Sequence, residues 1–478
     1  MAAVGFVSSI LTFPMYAAWL SPTSFGIVTT IRVIIALAQS VSGAGMIGGM
    51  FRFLAEESGR QHTDAGRSIL WTGFVATIVP SVIVAVLIGL VAVVVLPRTL
   101  GGSWILGLQL EAAALALTAF YEIALYAARA LNRSRYFVTL YLFNAIASVG
   151  FTVLFVVGFR WDAYGVFWAD FVSSLILLPP ALLFLSRDLG RPQFSFQRLR
   201  RMARFGLLIV PAQLGDWILT FSDRLFVQAL AGPAQLGVYS LGYRLGTVEQ
   251  QLVIGGFQLA WDPFVLNNLD EPQAPKLFGI TATYILAVSM LPVVLLGTLA
   301  GPLLVVMHAK AGYAEAPTVV FLVALASWFG FARYIFVTPT SVKLRSEWSL
   351  LVTVVTACVN LALNFPLIRA YGMIGAAWAT LIAYAFGAVA AVLVGRRIWT
   401  IDLEYNRLVA VVFAATLTYC GSLYLHFPTF WMDCGLKAIG APLAFLTILT
   451  ATGFWKHDER EFALVHLRRY RRAAESQG

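Results

Sequence analysis

Residues 68–97 read SILWTGFVATIVPSVIVAVLIGLVAVVVLP, thirty positions without a charged side chain. About 20 apolar residues of helix, rising 1.5 Å each, cross a hydrocarbon core ~30 Å thick, so this stretch reads as a membrane-spanning helix. Similar windows recur along the whole chain. The expected spans are 2–20, 25–51, 68–97, 104–128, 137–159, 163–186, 205–231, 235–261, 277–307, 316–342, 348–368, 372–395, 407–427 and 436–455, fourteen in all. Composition agrees: 60% of the 478 residues are hydrophobic and 12% charged, against the ~45–50% apolar share of ordinary soluble domains. The mean hydropathy is +0.82. The fold class predicted is an all-α polytopic membrane protein.

Charge orients the spans, because short cytoplasmic loops retain Lys and Arg. Of the 33 basic residues, 24 fall in the loops after even-numbered spans or in the C-terminal tail, and five (Arg98, Arg160, Lys310, Arg369 and Lys437) fall on the other side. Both termini are therefore expected in the cytoplasm and the chain in the cytoplasmic membrane. The net charge of +10 reads as topology and attraction to anionic membrane lipids, not as nucleic-acid binding. Cys358, Cys420 and Cys434 follow no metal or redox spacing, and the five histidines are scattered, so no metal site is expected. Span 1 has no basic segment before it, which suits either a retained helix or a start codon placed late, and no cleavable signal is read there.

Four arginines remain inside apolar spans: Arg32, Arg224, Arg244 and Arg333. Each costs roughly 2.5–3.5 kcal/mol at the centre of a membrane helix even on a mild scale, which makes them candidate functional residues.

The chain also echoes itself. Pro22-Thr-Ser-Phe-Gly-Ile27 is answered by Pro233-Ala-Gln-Leu-Gly-Val238, Arg133-Ser134 by Arg345-Ser346, and Ala163-Tyr-Gly165 by Ala370-Tyr-Gly372, each about 210 residues on. An even number of spans per repeat gives both the same orientation, with sites expected between them. The predicted organisation is an N-terminal six-helix half (1–186), a basic cytoplasmic linker (187–204), a C-terminal six-helix half (205–395), two appended helices (396–455) and a basic tail (456–478). The tail pairs Phe462, Leu464, Val465 and Leu467 with four arginines and suits either a helix on an anionic leaflet or a solvated end.

Several motifs carry a family resemblance. Ser21-Pro22-x-x-Phe25-Gly26, Ser222-Asp223-Arg224, Gly237-Val-Tyr-Ser-x-Gly-Tyr-Arg244 and Ala260-Trp-Asp-Pro-Phe264 resemble the polysaccharide transporters. So do Asn360-x-x-x-Asn364 and Tyr371-Gly-x-x-Gly-Ala-Ala-x-Ala-Thr380. These are the oligosaccharide and O-antigen flippases, similar in fold to multidrug and toxin extrusion transporters and to the lipid II flippase. The resemblance implies a flippase that moves a polyprenyl-diphosphate-linked oligosaccharide by alternating access for cell-surface polysaccharide synthesis. The implied partners are that lipid-linked substrate and polysaccharide assembly enzymes.

Under that reading Arg32 and Arg244 are the leading substrate-binding candidates. The repeat offset places them one position from equivalence, and planar guanidinium groups bind phosphate oxygens bidentately. Each could instead snorkel to an interface. Arg224 and Asp223 are adjacent, so their side chains diverge by about 100° and pairing with other spans is expected. Arg333 would receive substrate from the cytoplasmic side. Arg52, at the inner end of span 2, has a similar role or is an ordinary loop charge. Acidic residues in the spans are Glu122, Asp170, Asp216 and Glu249. Asp216 and Glu249 are the candidates for ion coupling, taking a proton or sodium ion; otherwise they neutralise arginines. No other cofactor is expected. Ion-coupled multidrug efflux is the alternative function. A membrane polymerase or glycosyltransferase is disfavoured by exported loops of about ten residues or fewer and by the lack of an Asp-x-Asp motif, so no enzyme activity is expected.

Overall fold

A computed structural model describes residues 2–43, 45–57, 64–94, 102–189, 193–425 and 429–456. Among them there is no strand. The helices are α1 (Ala2–Trp19), α2 (Pro22–Gly43), α3 (Met46–Glu57), α4 (Asp64–Val94), α5 (Gly102–Ala130), α6 (Ser134–Thr152), α7 (Ala163–Leu189), α8 (Phe196–Gly246), α9 (Gly255–Asn267), α10 (Ala274–Val306), α11 (Pro317–Phe336), α12 (Thr338–Val342), α13 (Ser346–Ile398), α14 (Tyr405–Ser422) and α15 (Phe430–Ala451). Two π-helical turns, Val153–Gly158 and Gln250–Ile254, extend α6 and join α8 to α9. Nine of the described helices are long and apolar enough to cross a membrane. Each of the fourteen expected spans coincides with a helix, a limb of a bent helix or a short run of helices.

Two long helices are hairpins bent at a single glycine. In α8 the break is Gly232, at φ 85° and ψ 171°. The following Pro233 excludes helical geometry from the residue before it, and only glycine takes that positive φ without strain. Asp223 and Tyr239 would lie ~24 Å apart on a straight helix. Their side chains hydrogen-bond at 2.5 Å, so the limbs 196–231 and 233–246 fold back on one another. In α13 the break is Gly372, and the limbs meet again where Gly387 packs on Thr356.

The closest contact between the repeated motifs is reciprocal. Gly26 lies against the backbone carbonyl of Pro233, and Gly237 lies against that of Pro22. A Cβ at either glycine would collide with the carbonyl, so both motifs need glycine to approach this closely. The symmetry extends outward: Ser24 donates to Asp162 at 2.5 Å, and at the equivalent places Gln235 accepts from the Met373 N–H at 3.3 Å. The third sequence echo is displaced, however. The spatial partner of Gly165, which packs on the backbone of Phe155, is Gly375, which packs on that of Leu367. Gly372 instead makes the bend. The register slips because a π-turn and a four-residue connection separate α6 from α7, whereas one glycine joins the limbs of α13.

Packing distributes the apolar residues into three cores. One crosses between the two motifs and joins Tyr16, Leu20, Phe25 and Ile31 to Leu236, Tyr239, Tyr313 and Val319. The loop before α11 straps this end: the Lys310 ammonium donates to the Trp19 carbonyl at 2.5 Å, and the Lys310 N–H to that of Ala17 at 3.0 Å. The other two cores do not cross. One lies among α3–α7 and the start of α8, around Met50, Ile123 and Met202. The other lies among α9–α15, around Phe278, Phe331 and Phe445. The Pro22/Pro233 end is thus sealed, whereas at the opposite end the two cores are separate and α3 meets α8 where Gly45 packs on the backbone of Gly206.

Most of the 187–204 segment is helical: α7 runs to Leu189 and α8 starts at Phe196, with the Ser195 hydroxyl accepting from the Arg198 N–H. Arg198, Arg200, Arg201 and Arg204 therefore sit on the first turns of α8. Arg191 and the tail beyond Lys456 lie outside the described residues.

Candidate functional site

A cavity of about 620 Å³ is walled in part by residues of the crossing core (Phe25, Val323) and of the α9–α15 core (Ala326, Phe331), and all four stranded arginines line it. Arg32 comes from α2, Arg224 and Arg244 from the two limbs of α8, and Arg333 from α11. Their convergence follows from the hairpin at Gly232 and from the packing of α2 against both limbs of α8.

The four are held differently. Arg32 donates to Asp170 on α7 at 2.5 Å, and its Nε lies 4.0 Å from Glu111 on α5. Arg224 pairs with its neighbour Asp223 at 3.3 Å, donates to the Thr220 carbonyl and stacks over the Tyr243 ring at 4.2 Å. The two residues thus pair with each other as well as with the facing limb, where pairing with other spans was the expectation. A guanidinium is long enough to turn back along its own helix, and Tyr239 from the facing limb takes the second Asp223 oxygen. Arg333 donates to Thr353 at 2.9 Å, and its Nε has no partner among the described residues. Arg244 lies beside the rings of Phe13 and Tyr16, and no carboxylate pairs with it among the described residues. Among the described residues the cavity therefore holds two guanidinium groups neutralised by carboxylates and two, Arg244 and Arg333, without such a partner. A cation taken out of water is costly unless it is paired.

Residues 2–267 match the family described as polysaccharide biosynthesis protein. The chain belongs to that family. The match covers α1 to α9 and so includes Arg32, Arg52, Arg224 and Arg244. No curated protein sequence matches the chain. Its fold is similar to that of solved membrane transporters. A structure described as the lipid II flippase MurJ in an inward closed conformation superposes with a TM-score of 0.71 at 11% identity, covering 93% of this chain and 97% of that one. A multidrug resistance MATE family transporter superposes with a TM-score of 0.65 in its inward-facing conformation, at 15% identity over 85% of this chain and 95% of that one. An outward-facing conformation gives 0.54 at 15% identity, over 86% and 93%.

Within this polysaccharide biosynthesis family member, other candidates lie elsewhere. Arg52 is exposed on α3, 4.7 Å from the Phe205 ring, and does not line the cavity. Span 2 breaks near Gly45, at φ 68°, so α3 leaves the line of α2 and carries Arg52 away. Glu249 is buried just before the π-turn, and neither of its oxygens has a partner among the described residues. Thr247 and Gln250 on either side of it reach the cavity wall. The Asp216 side chain lies outside the described residues. Glu122 accepts from Gln39 at 2.5 Å, facing a second cavity. No cluster of three metal-ligating side chains occurs among the described residues.

Three contributors were overlooked. Glu111 sits in an apolar span and carries the same signal as the stranded arginines. Tyr16 and Tyr243, whose rings flank the guanidinium groups, gave no signal, because an aromatic in a membrane helix is ordinary.

Proposed function

We propose that this protein is a flippase carrying polyprenyl-diphosphate-linked oligosaccharide across the cytoplasmic membrane, and that it acts as a transporter without a chemical step. The observation that carries this reading is the convergence of four guanidinium groups on one cavity, two of them without carboxylate partners. A diphosphate presents the charge and the paired oxygens that such forks bind. Family membership in polysaccharide biosynthesis and the likeness to a lipid II flippase support the same cargo class. Multidrug efflux fits less well, because a cavity of four arginines repels cationic drugs.

The inside-positive loops put the divided end toward the cytoplasm and the Pro22/Pro233 seal toward the exported face. In a state open to the cytoplasm, Arg244 and Arg333 would receive the diphosphate from the leaflet where it is made. Opening the seal while the divided end closes would release it on the other side. Glu249, buried and without a partner among the described residues, is the carboxylate we assign to coupling with a proton or sodium ion. Asp216, four residues before Thr220 in the first limb of α8, is a second candidate.

Translocation of lipid-linked oligosaccharide in liposomes tests this. Arg244→Ala and Arg32→Ala should each slow it by tenfold or more. Wild-type rates in both variants would remove the diphosphate role.

A further inference from the structure

A second cavity of about 590 Å³ continues the first and shares Ala36, Thr220 and Phe221 with it. Its chemistry is different. Among the described residues no Lys or Arg lines it; instead Gln39, Glu122, Tyr126, Gln213 and Trp217 face the space. Gln39 and Glu122 form one hydrogen-bonded unit at 2.5 Å. The indole Nε1 of Trp217 is buried without a partner among the described residues, a donor that costs free energy until something accepts from it. Gly43 and Gly48 on the wall have nothing within reach of a Cβ, which leaves the cavity wide beside them.

We infer that this cavity is a subsite for the first sugars of the cargo, and that it takes neutral or N-acetylated sugars in preference to uronic acids. The inference rests on the flippase reading above. Sugar rings offer hydroxyl groups that both donate and accept, and an amide–carboxylate pair matches them from both sides. Their C–H faces pack on aromatic rings such as Trp217 and Tyr126, and a pocket of aromatic surface with a few convergent polar groups is the usual form of a small-ligand site. The Glu122 carboxylate, with no cation on the same wall, repels a second carboxylate.

Helix register aligns the two subsites. On α2, Gln39 follows Arg32 by seven residues, two turns along the same face; on α8, Trp217 precedes Arg224 by seven. Seven residues rise ~10.5 Å, about the length of a diphosphate with its first sugar. A cargo whose phosphates lie among the arginines thus places its glycan beside Gln39, Glu122 and Trp217.

The test measures equilibrium binding to the full chain in lipid nanodiscs with three probes: polyprenyl diphosphate, the same lipid bearing N-acetylglucosamine, and the same lipid bearing glucuronic acid. The N-acetylglucosamine lipid should bind at least tenfold more tightly than the bare diphosphate, and the glucuronic acid lipid should show no such gain. Trp217→Phe and Glu122→Gln should abolish the gain while leaving bare diphosphate binding unchanged. Gln213→Ala, at an exposed position, reduces the gain without a change in packing. Equal affinities for all three probes in the wild type, or a gain that survives all three substitutions, would overturn the subsite. Failure of the bare diphosphate to bind at all would instead overturn the diphosphate reading and the subsite with it.

Discussion

Arg32 and Arg244 meet at one aromatic ring: their guanidinium carbons lie 5.7 and 6.0 Å from the centroid of Tyr16. Tyr16 is buried on α1, and Arg32 also donates to its hydroxyl at 3.4 Å. A helix outside the α2–α8 pair thereby spaces two like charges with a ring face that attracts both. Arg32 already has Asp170, whereas Arg244 has rings beside it and no carboxylate partner among the described residues.

That difference sets an order of effects. Hydrogen bonds to charged groups are worth ~1.5–3 kcal/mol, so losing one costs about ten- to a hundredfold in affinity. Arg244→Ala should weaken polyprenyl diphosphate binding by that amount, and Arg333→Ala by a similar factor. Direct titration in nanodiscs checks both, and a loss no greater than that of Arg52→Ala, which lies away from the cavity, would count against the assignment.

Asp170→Asn separates the structural role of the ion pair from its competition with substrate. Removing the carboxylate leaves Arg32 less compensated, so the apparent melting temperature in detergent should fall by several degrees. The freed guanidinium should at the same time bind the diphosphate several-fold more tightly. A fall in both stability and affinity would argue that Asp170 only shapes the site.

The seal depends on glycine. Gly26→Ala or Gly237→Ala drives a Cβ into a proline carbonyl and should bias the protein away from the sealed state. In a background without Cys358, Cys420 and Cys434, a single cysteine replacing Gln235 should react several-fold faster with a membrane-impermeant maleimide from the exported side. Unchanged labelling would place the gate elsewhere.

Glu249→Gln keeps the shape of a buried side chain and removes its capacity to ionise. Folding stability should be preserved or rise slightly, because a partnerless carboxylate is costly to bury. Translocation driven by an imposed proton or sodium gradient should fall at least tenfold while unforced exchange persists. Equal loss of both would indicate a structural fault.

Much of this architecture was legible in the sequence, and the physics explains which part. Apolar windows of sufficient length announce membrane helices because lipid offers the backbone no other partner. The Pro22 and Pro233 motifs could be paired because both preserve the same glycine for the same close approach. The third echo misled, since residue identity around Gly165 and Gly372 survived while their places in the turn did not. Glu111 escaped notice although its signal equalled that of Arg32.

Sequence alone determined the all-helical membrane class and the identity of the four arginines, because each follows from the cost of moving a group from water into lipid. Only the tertiary structure decided that these arginines share a cavity, that Arg52 leaves it, and that Asp170 and Asp223 neutralise two of the four while Arg244 and Arg333 have no carboxylate partner among the described residues. Those facts depend on where Gly45, Gly232 and Gly372 turn the chain. A bend of one residue redirects an entire helix, and no local property of the apolar residues on either side records which way it goes.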